Sequence, residues 1–197
     1  MLAITVCYNT PELIKRAVIS VKTFYPDLEI IVVDGSPEGS PCYCACDWLS
    51  SVYDGVTVHH VLRNIGHGKG VQFAIRKTQS KHIIVFDSDI QMMSGCIEDM
   101  TVHLKPTDLG IGLVVQVDAA GICEPSGTNY LHPYFCILNR SIYDRLPPIR
   151  NHGAPFIDTM QAASEIGIKV RNYDLKEKIQ HDWRGTRNIN PKWMSEL

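Results

Sequence analysis

The stretch IIVFDSDIQ, residues 83–91, runs four apolar residues into two aspartates, Asp87 and Asp89, with only Ser88 between them. In an extended chain residues i and i+2 point to the same side, so the two carboxylates are delivered to one spot. Like charges that close repel and raise each other's pKa unless something neutralises them. A divalent cation would do so, since Mg2+ and Mn2+ take oxygen ligands and use one or two carboxylates together with substrate phosphates. Exposure to bulk water is the other solution, in which the pair is a solvated turn.

Four further sets of residues carry possible chemistry. NIGHGKG, residues 64–70, places Gly66, Gly68 and Gly70 ahead of a helical segment. Glycines let backbone approach a phosphate and a helix start favours anions, but a tight strand-to-helix connection explains them equally. The motif is not a P-loop, because no Ser or Thr follows Lys69. Asp34 closes an apolar run and would either accept hydrogen bonds from a base or ribose or cap its own Gly-Ser turn. His181 in IQHDWRGTR offers an imidazole to a metal, and Arg184 and Arg187 beside it would clamp phosphate. Asp158 opens a helical segment, where a carboxylate suits the dipole; a general base is the competing role.

The seven cysteines are an odd number, which disfavours a full disulfide framework. Cys42, Cys44 and Cys46 in PCYCACDW suggest zinc, yet their single-residue gaps and the lack of a second pair do not fit the usual C-x(2–4)-C spacing. They read as buried or inert loop thiols.

The elements that must position these groups follow from periodicity. Residues 3–8, 29–34, 56–62 and 81–86 are short β-rich runs. Helical patterns lie between them: 11–24 behind Thr10 as N-cap, 43–52, and one opened by Gly66 that continues through Gln79. This β-α alternation calls for a parallel sheet with helices on both faces. Ligands then bind beyond the carboxyl ends of the strands. Those ends carry Tyr8-Asn9, Asp34-Gly35, Arg63-Asn64 and Asp87-Ser88-Asp89, a convergence of polar groups. Farther on, 109–117 and 134–139 read as strands, 141–146 as a helical turn, 155–167 as a helix and 169–175 as an edge strand, ahead of a basic, aromatic tail.

Composition sets the outer bounds. With 197 residues, 45% apolar, 20% charged and a net charge of −2, the chain suits one globular domain rather than a disordered, membrane-spanning or broadly nucleic-acid-binding protein. No run is long enough to span a bilayer. The N-terminus lacks the pattern of a signal peptide, so the reducing cytoplasm is the expected compartment.

Taken in order, TVCYNTPELIKRAVISV, EIIVVDGSPEG, RNIGHGKGVQFAI and IIVFDSDIQ resemble a family 2 glycosyltransferase of the GT-A fold over roughly residues 1–92. The resemblance implies a Rossmann-like, mixed and mostly parallel sheet flanked by helices. It divides the single domain into a nucleotide-sugar half, 1–92, and an acceptor half, 93–197. It implies a nucleotide-diphosphate sugar donor, UDP favoured, with Mn2+ or Mg2+ held by Asp87, Asp89 and His181. Tyr8, Asn9, Asp34, Arg63, Asn64, Gly66, Lys69, Asp87, Ser88, Arg184 and Arg187 would bind the donor. Family members commonly carry an acidic cluster before the helix ending at Gly167. Here only its last acid, Asp158, is present, behind Pro155 and Phe156, so Asp158 becomes the expected base for an inverting reaction, with Asp118 and Glu124 as weaker sources. The Q-x-x-R-W signature of processive members is absent. The short second half implies a large or protruding acceptor: a lipid-linked glycan, a protein side chain or a modified base in DNA. A nucleotidyltransferase and a non-catalytic sugar-nucleotide module are the rival readings.

Overall fold

The computed structural model describes residues 1–182 and Gly185. In chain order the elements are β1 (Leu2–Cys7), α1 (Pro11–Phe24), β2 (Glu29–Asp34), α2 (Pro41–Val52), β3 (Val56–His60), α3 (His67–Ile75), β4 (His82–Phe86) and β5 (Ile90–Met92). They continue with α4 (Ile97–His103), β6 (Gly110–Val117), β7 (Thr128–Asn139), α5 (Arg140–Tyr143), α6 (Ile157–Glu165), β8 (Val170–Asn172) and β9 (Ile179–His181). Seven strands form one sheet in the order β3-β2-β1-β4-β7-β6-β8. The first four run parallel, β7 is antiparallel to both its neighbours, and β8 is parallel to β6. The sheet is thus mixed, mostly parallel and flanked by helices.

The continuous apolar strands are explained by burial on both faces. Ala3, Ile30, Val32, Ile84 and Phe86 face α1 and α2, while Leu2, Ile4, Ile31, Val33, Ile83 and Val85 face α3 and α6. The strand order reverses between β1 and β4, so their carboxyl ends diverge over a crevice. Among the described residues no helix is long and apolar enough to cross a membrane.

Several boundaries differ from the sequence expectation for identifiable reasons. The strand expected over 56–62 stops at His60 because Leu62 adopts a left-handed φ of 55° that no strand continues. The helix expected through Gln79 ends at Ile75, where the Arg140 guanidinium takes the carbonyls of Ile75 and Thr78. Thr10 does precede α1, but its side chain makes no capping bond. The 134–139 strand extends back to Thr128, pairing with β6 across a register shift between Gly112 and Val114. The helix expected over 155–167 covers Ile157–Glu165; Gly167, at φ 73°, closes it as Ile168 N–H reaches back to Ala163 O. The three-residue strands β5 and β9 pair with each other outside the main sheet, and they prove essential to the site.

Candidate active site

A cavity of about 360 Å3 opens where the carboxyl ends of β1 and β4 part. Asp87 leaves β4 with its backbone N–H donated to Tyr134 O, because β4 and β7 pair antiparallel up to Phe86 and Phe135. The chain then turns through Ser88 into β5. β9 lies antiparallel on β5 with His181 opposite Ile90, which returns the imidazole to the two aspartates. His181 Nε2 lies 3.3 Å from Asp89 Oδ1 and 3.8 Å from Asp87 Oδ2. One donor atom from each of the three residues lies within 4.8 Å of the others. Tyr134 stacks on the His181 ring at 5.0 Å, nearly parallel. Asp182 extends the clasp: its N–H donates to Asp89 O, and its carboxylate pairs with Arg16 of α1 at 2.5 Å.

The opposite wall comes from the Asn64–His67 turn. Gly66, at φ 79°, turns the chain into α3 and donates its N–H to Asn64 Oδ1. A Cβ at Gly68 would lie 2.3 Å from Asn151 O, and one at Gly70 would lie 2.7 Å from Val6 Cγ1. Two of the three glycines are therefore accounted for by close packing, and Gly66 alone of them lines the cavity. His67 Nε2 stands 3.4 Å from Asp87 Oδ1. Its backbone N–H is donated to His152 Nδ1 from the loop before α6. His132 of β7 completes a ring of four histidines around the cavity, with His67, His152 and His181. Burial holds the His132 imidazole below its ordinary pKa against the opposing pull of Asp87.

Of the residues singled out in the sequence, Tyr8, Asn64, Gly66, Asp87, Ser88, Asp89 and His181 line the cavity together. Asn9 sits beside it in the left-handed region, its N–H donated to Ser36 Oγ. Arg63 and Lys69 are exposed and are not among the lining residues. Asp158 is exposed on the first turn of α6; Pro155, three residues earlier, lines the cavity. The Asp118 carboxylate accepts the N–H groups of Ala120 and Ile122, and Glu124 accepts the Ser126 hydroxyl. Arg184 and Arg187 lie outside the described residues. His67, His132 and His152 were missed. His67 stood inside a motif read for its glycines, Asn64 and Lys69, and nothing local marks the other two.

Asp34 is placed behind the cavity wall. It is fully buried; Oδ1 accepts the Ser36 N–H, and Oδ2 lies 2.9 Å from His60 Nδ1. Around it stand three thiols, Cys7 from β1 and Cys42 and Cys46 from α2. Hydrogen bonding among them pushes Cys42 below the ordinary thiol range and Cys46 and Cys7 above it. Cys44, on the outer face of α2, is exposed.

Residues 2–157 match the sequence profile of the family described as Glycosyl transferase family 2. No curated protein sequence matches the chain. Solved structures of similar fold include the mannosyltransferase PcManGT from Pyrobaculum calidifontis in complex with GDP-Man and Mn2+. It superposes at a TM-score of 0.69 with 16% identity, over 99% of this chain and 61% of that one. TarS 1-349 of S. aureus gives 0.66 and 13%, over 100% of this chain and 65% of that one. Glucosyl-3-phosphoglycerate synthase from Mycobacterium tuberculosis, in complex with phosphoglyceric acid, gives 0.62 and 13%, over 98% and 75%. The chain thus spans less than two thirds of the mannosyltransferase and of TarS, and at these identities the likeness is one of fold.

Proposed function

The chain belongs to glycosyl transferase family 2, and we propose that it moves a sugar from a nucleotide-diphosphate donor to an acceptor hydroxyl. The observation that carries this reading is the meeting of Asp87, Asp89 and His181 on one cavity at the point where the strand order reverses. Two carboxylates and one imidazole are hard and borderline donors, and together they fit Mn2+ or Mg2+. When bound, such an ion supplies Lewis-acid stabilisation of the charge that grows on a leaving diphosphate.

The chain's own residues do the rest. Tyr8, Asn64 and Gly66 line the space for the nucleotide, UDP favoured. Asp34 acts at one remove, fixing Ser36, whose hydroxyl in turn fixes Asn9. Tyr134 and Asp182 hold His181 and Asp89 in place. Arg184 and Arg187, with the exposed Arg63 and Lys69, supply positive charge for the diphosphate. A single displacement inverts the anomeric carbon, and a base takes the acceptor's proton during attack. Asp158 serves as that base, on the helix whose approach lines the cavity. His152 is the second candidate, favoured because it lines the cavity itself while Asp158 does not. A glycan, a protein side chain or a modified DNA base would each supply the acceptor hydroxyl. Seven free thiols support a reducing, cytoplasmic setting.

Calorimetric titration with a panel of nucleoside diphosphates, with and without Mn2+, tests the reading. One nucleotide is expected to bind, with an affinity that requires both the metal and Asp89. Asp89→Ala is expected to weaken it more than about 100-fold, since even outer partners of a metal site are worth about 10–100-fold. Equal binding with and without metal, or by Asp89→Ala, would remove the centre of the proposal.

A further inference from the structure

Behind the cavity, the fold gathers four metal-ligand side chains that no linear spacing announces. Cys7 and Asp34 end adjacent parallel strands and are direct register partners, so both side chains leave the same face of the sheet. That face is covered by α2, on which Cys42 and Cys46, four residues apart, point inward on one helical face. The observed separations are 3.6 Å for Cys7 Sγ to Cys46 Sγ, 3.9 Å for Cys42 Sγ to Cys7 Sγ, 3.6 Å for Cys7 Sγ to Asp34 Oδ1 and 3.8 Å for Cys42 Sγ to Asp34 Oδ1. A tetrahedral zinc ion with Zn–S bonds of about 2.3 Å and a Zn–O bond of about 2.1 Å sets its sulfurs about 3.8 Å apart, and sulfur and oxygen about 3.6 Å apart. These four separations match those spacings, and all four donor atoms lie within 4.8 Å of one another.

We propose that Cys7, Asp34, Cys42 and Cys46 form a closed, structural zinc site, separate from the Asp87–Asp89–His181 site. All four positions of the tetrahedron come from protein, which leaves none for substrate and marks the site as structural. Soft thiolates select zinc over the magnesium or manganese suited to the carboxylate site. The surroundings are those of a supported metal centre. Asp34 Oδ2 meets His60 Nδ1 at 2.9 Å, His60 Nε2 meets Asp47 Oδ1 at 2.9 Å, and Tyr43 stacks on the His60 ring at 3.7 Å. Such outer partners orient a ligand and fix its charge. Binding releases the thiol protons and ties the ends of β1 and β2 to α2. Cys7 itself lines the cavity, so the ion stiffens the wall against which Tyr8 and Asn9 sit.

The test uses the full chain, stripped of metal and kept reduced, titrated with Co2+ and then Zn2+. Binding of one Co2+ with thiolate-to-cobalt charge-transfer absorption and strong tetrahedral d–d bands is expected, bleached by one equivalent of Zn2+. Asp89→Ala and Cys44→Ser should keep those bands, and Cys42→Ser and Cys46→Ser should lose them. X-ray absorption on the unmodified zinc protein should show three sulfur neighbours and one light atom, a readout that stands even where a serine variant fails to fold. A cobalt spectrum without charge-transfer bands, fewer than three sulfurs on zinc, or a metal-free chain two hydrogens light from a disulfide among these cysteines would each overturn the site.

Discussion

At the scale of single residues, the open choice is which side chain takes the acceptor's proton. Asp158 has the chemistry and an exposed carboxylate, whereas His152 has the position, with its Nδ1 accepting the His67 N–H at 3.2 Å. Loss of a general base costs about 100- to 10,000-fold in turnover without touching donor affinity. Asp158→Asn is expected to show that loss, measured as donor- and acceptor-dependent release of nucleoside diphosphate, with calorimetric donor affinity unchanged. If His152→Asn shows it instead, the base lies in the cavity wall. Asp87 and Asp89 were legible in the sequence because their geometry is local: two side chains on one strand end, two residues apart. His181 was legible only as a candidate, since its arrival depends on the pairing of two three-residue strands. The three thiols around Asp34 could not be assembled from spacing, because Cys7 and Asp34 are 27 residues apart in the chain and meet only through sheet register, so Cys42 and Cys46 lacked a second pair of ligands.

At the scale of elements, the β-α alternation of the first ninety residues could be read because strands buried on both faces are continuous apolar runs and the helices are amphipathic. What could not be read is where distant groups stop an element, as Arg140 stops α3. Lys22 is a second long-range device. Buried at the end of α1, it donates to the carbonyls of Pro26, Leu28 and Asp54, pinning the helix to the turns before β2 and β3. Lys22→Met leaves these carbonyls unpaired, and hydrogen bonds to a charged group contribute about 1.5–3 kcal/mol. Denaturant unfolding should show a loss of at least about 2 kcal/mol, with the slope of the transition unchanged. The strands also carry a pH dependence. Burial first, then the N-terminus and Lys81, holds His82 at the start of β4 below 6.5. The unfolded chain takes up this proton near about 6.5, while the folded chain does so only at lower pH. Stability from His82 is therefore full above about 6.5 and falls as pH drops toward the lowered folded value. Melting temperatures at pH 7.5 and 5.5 should fall less for His82→Gln than for the unmodified protein.

At the scale of the whole molecule, the site is a product of topology. The sheet supplies the crevice between β1 and β4, β7 supplies His132 and Tyr134 from the antiparallel side, and β9 closes it from the far end of the chain. Any test of the basic tail must respect that arrangement. Cutting after Gln180 would remove His181, and with it a proposed metal ligand and the Asp182–Arg16 pair. The loss would not report on the tail's own charges. Cutting after Gly185 keeps His181, Asp182 and the Gly185 N–H bond to Asp182 O, while removing Arg187, Lys192 and the rest of the tail. If those residues fold over the diphosphate, this truncation should weaken nucleotide binding about tenfold or more, as expected for a lost charge-assisted contact of about 1.4 kcal/mol or more. Metal affinity measured without nucleotide should stay as it was, because the three ligands are intact. An unchanged nucleotide affinity would assign the tail to the acceptor instead, and the same truncated protein would then show the defect only when acceptor is present.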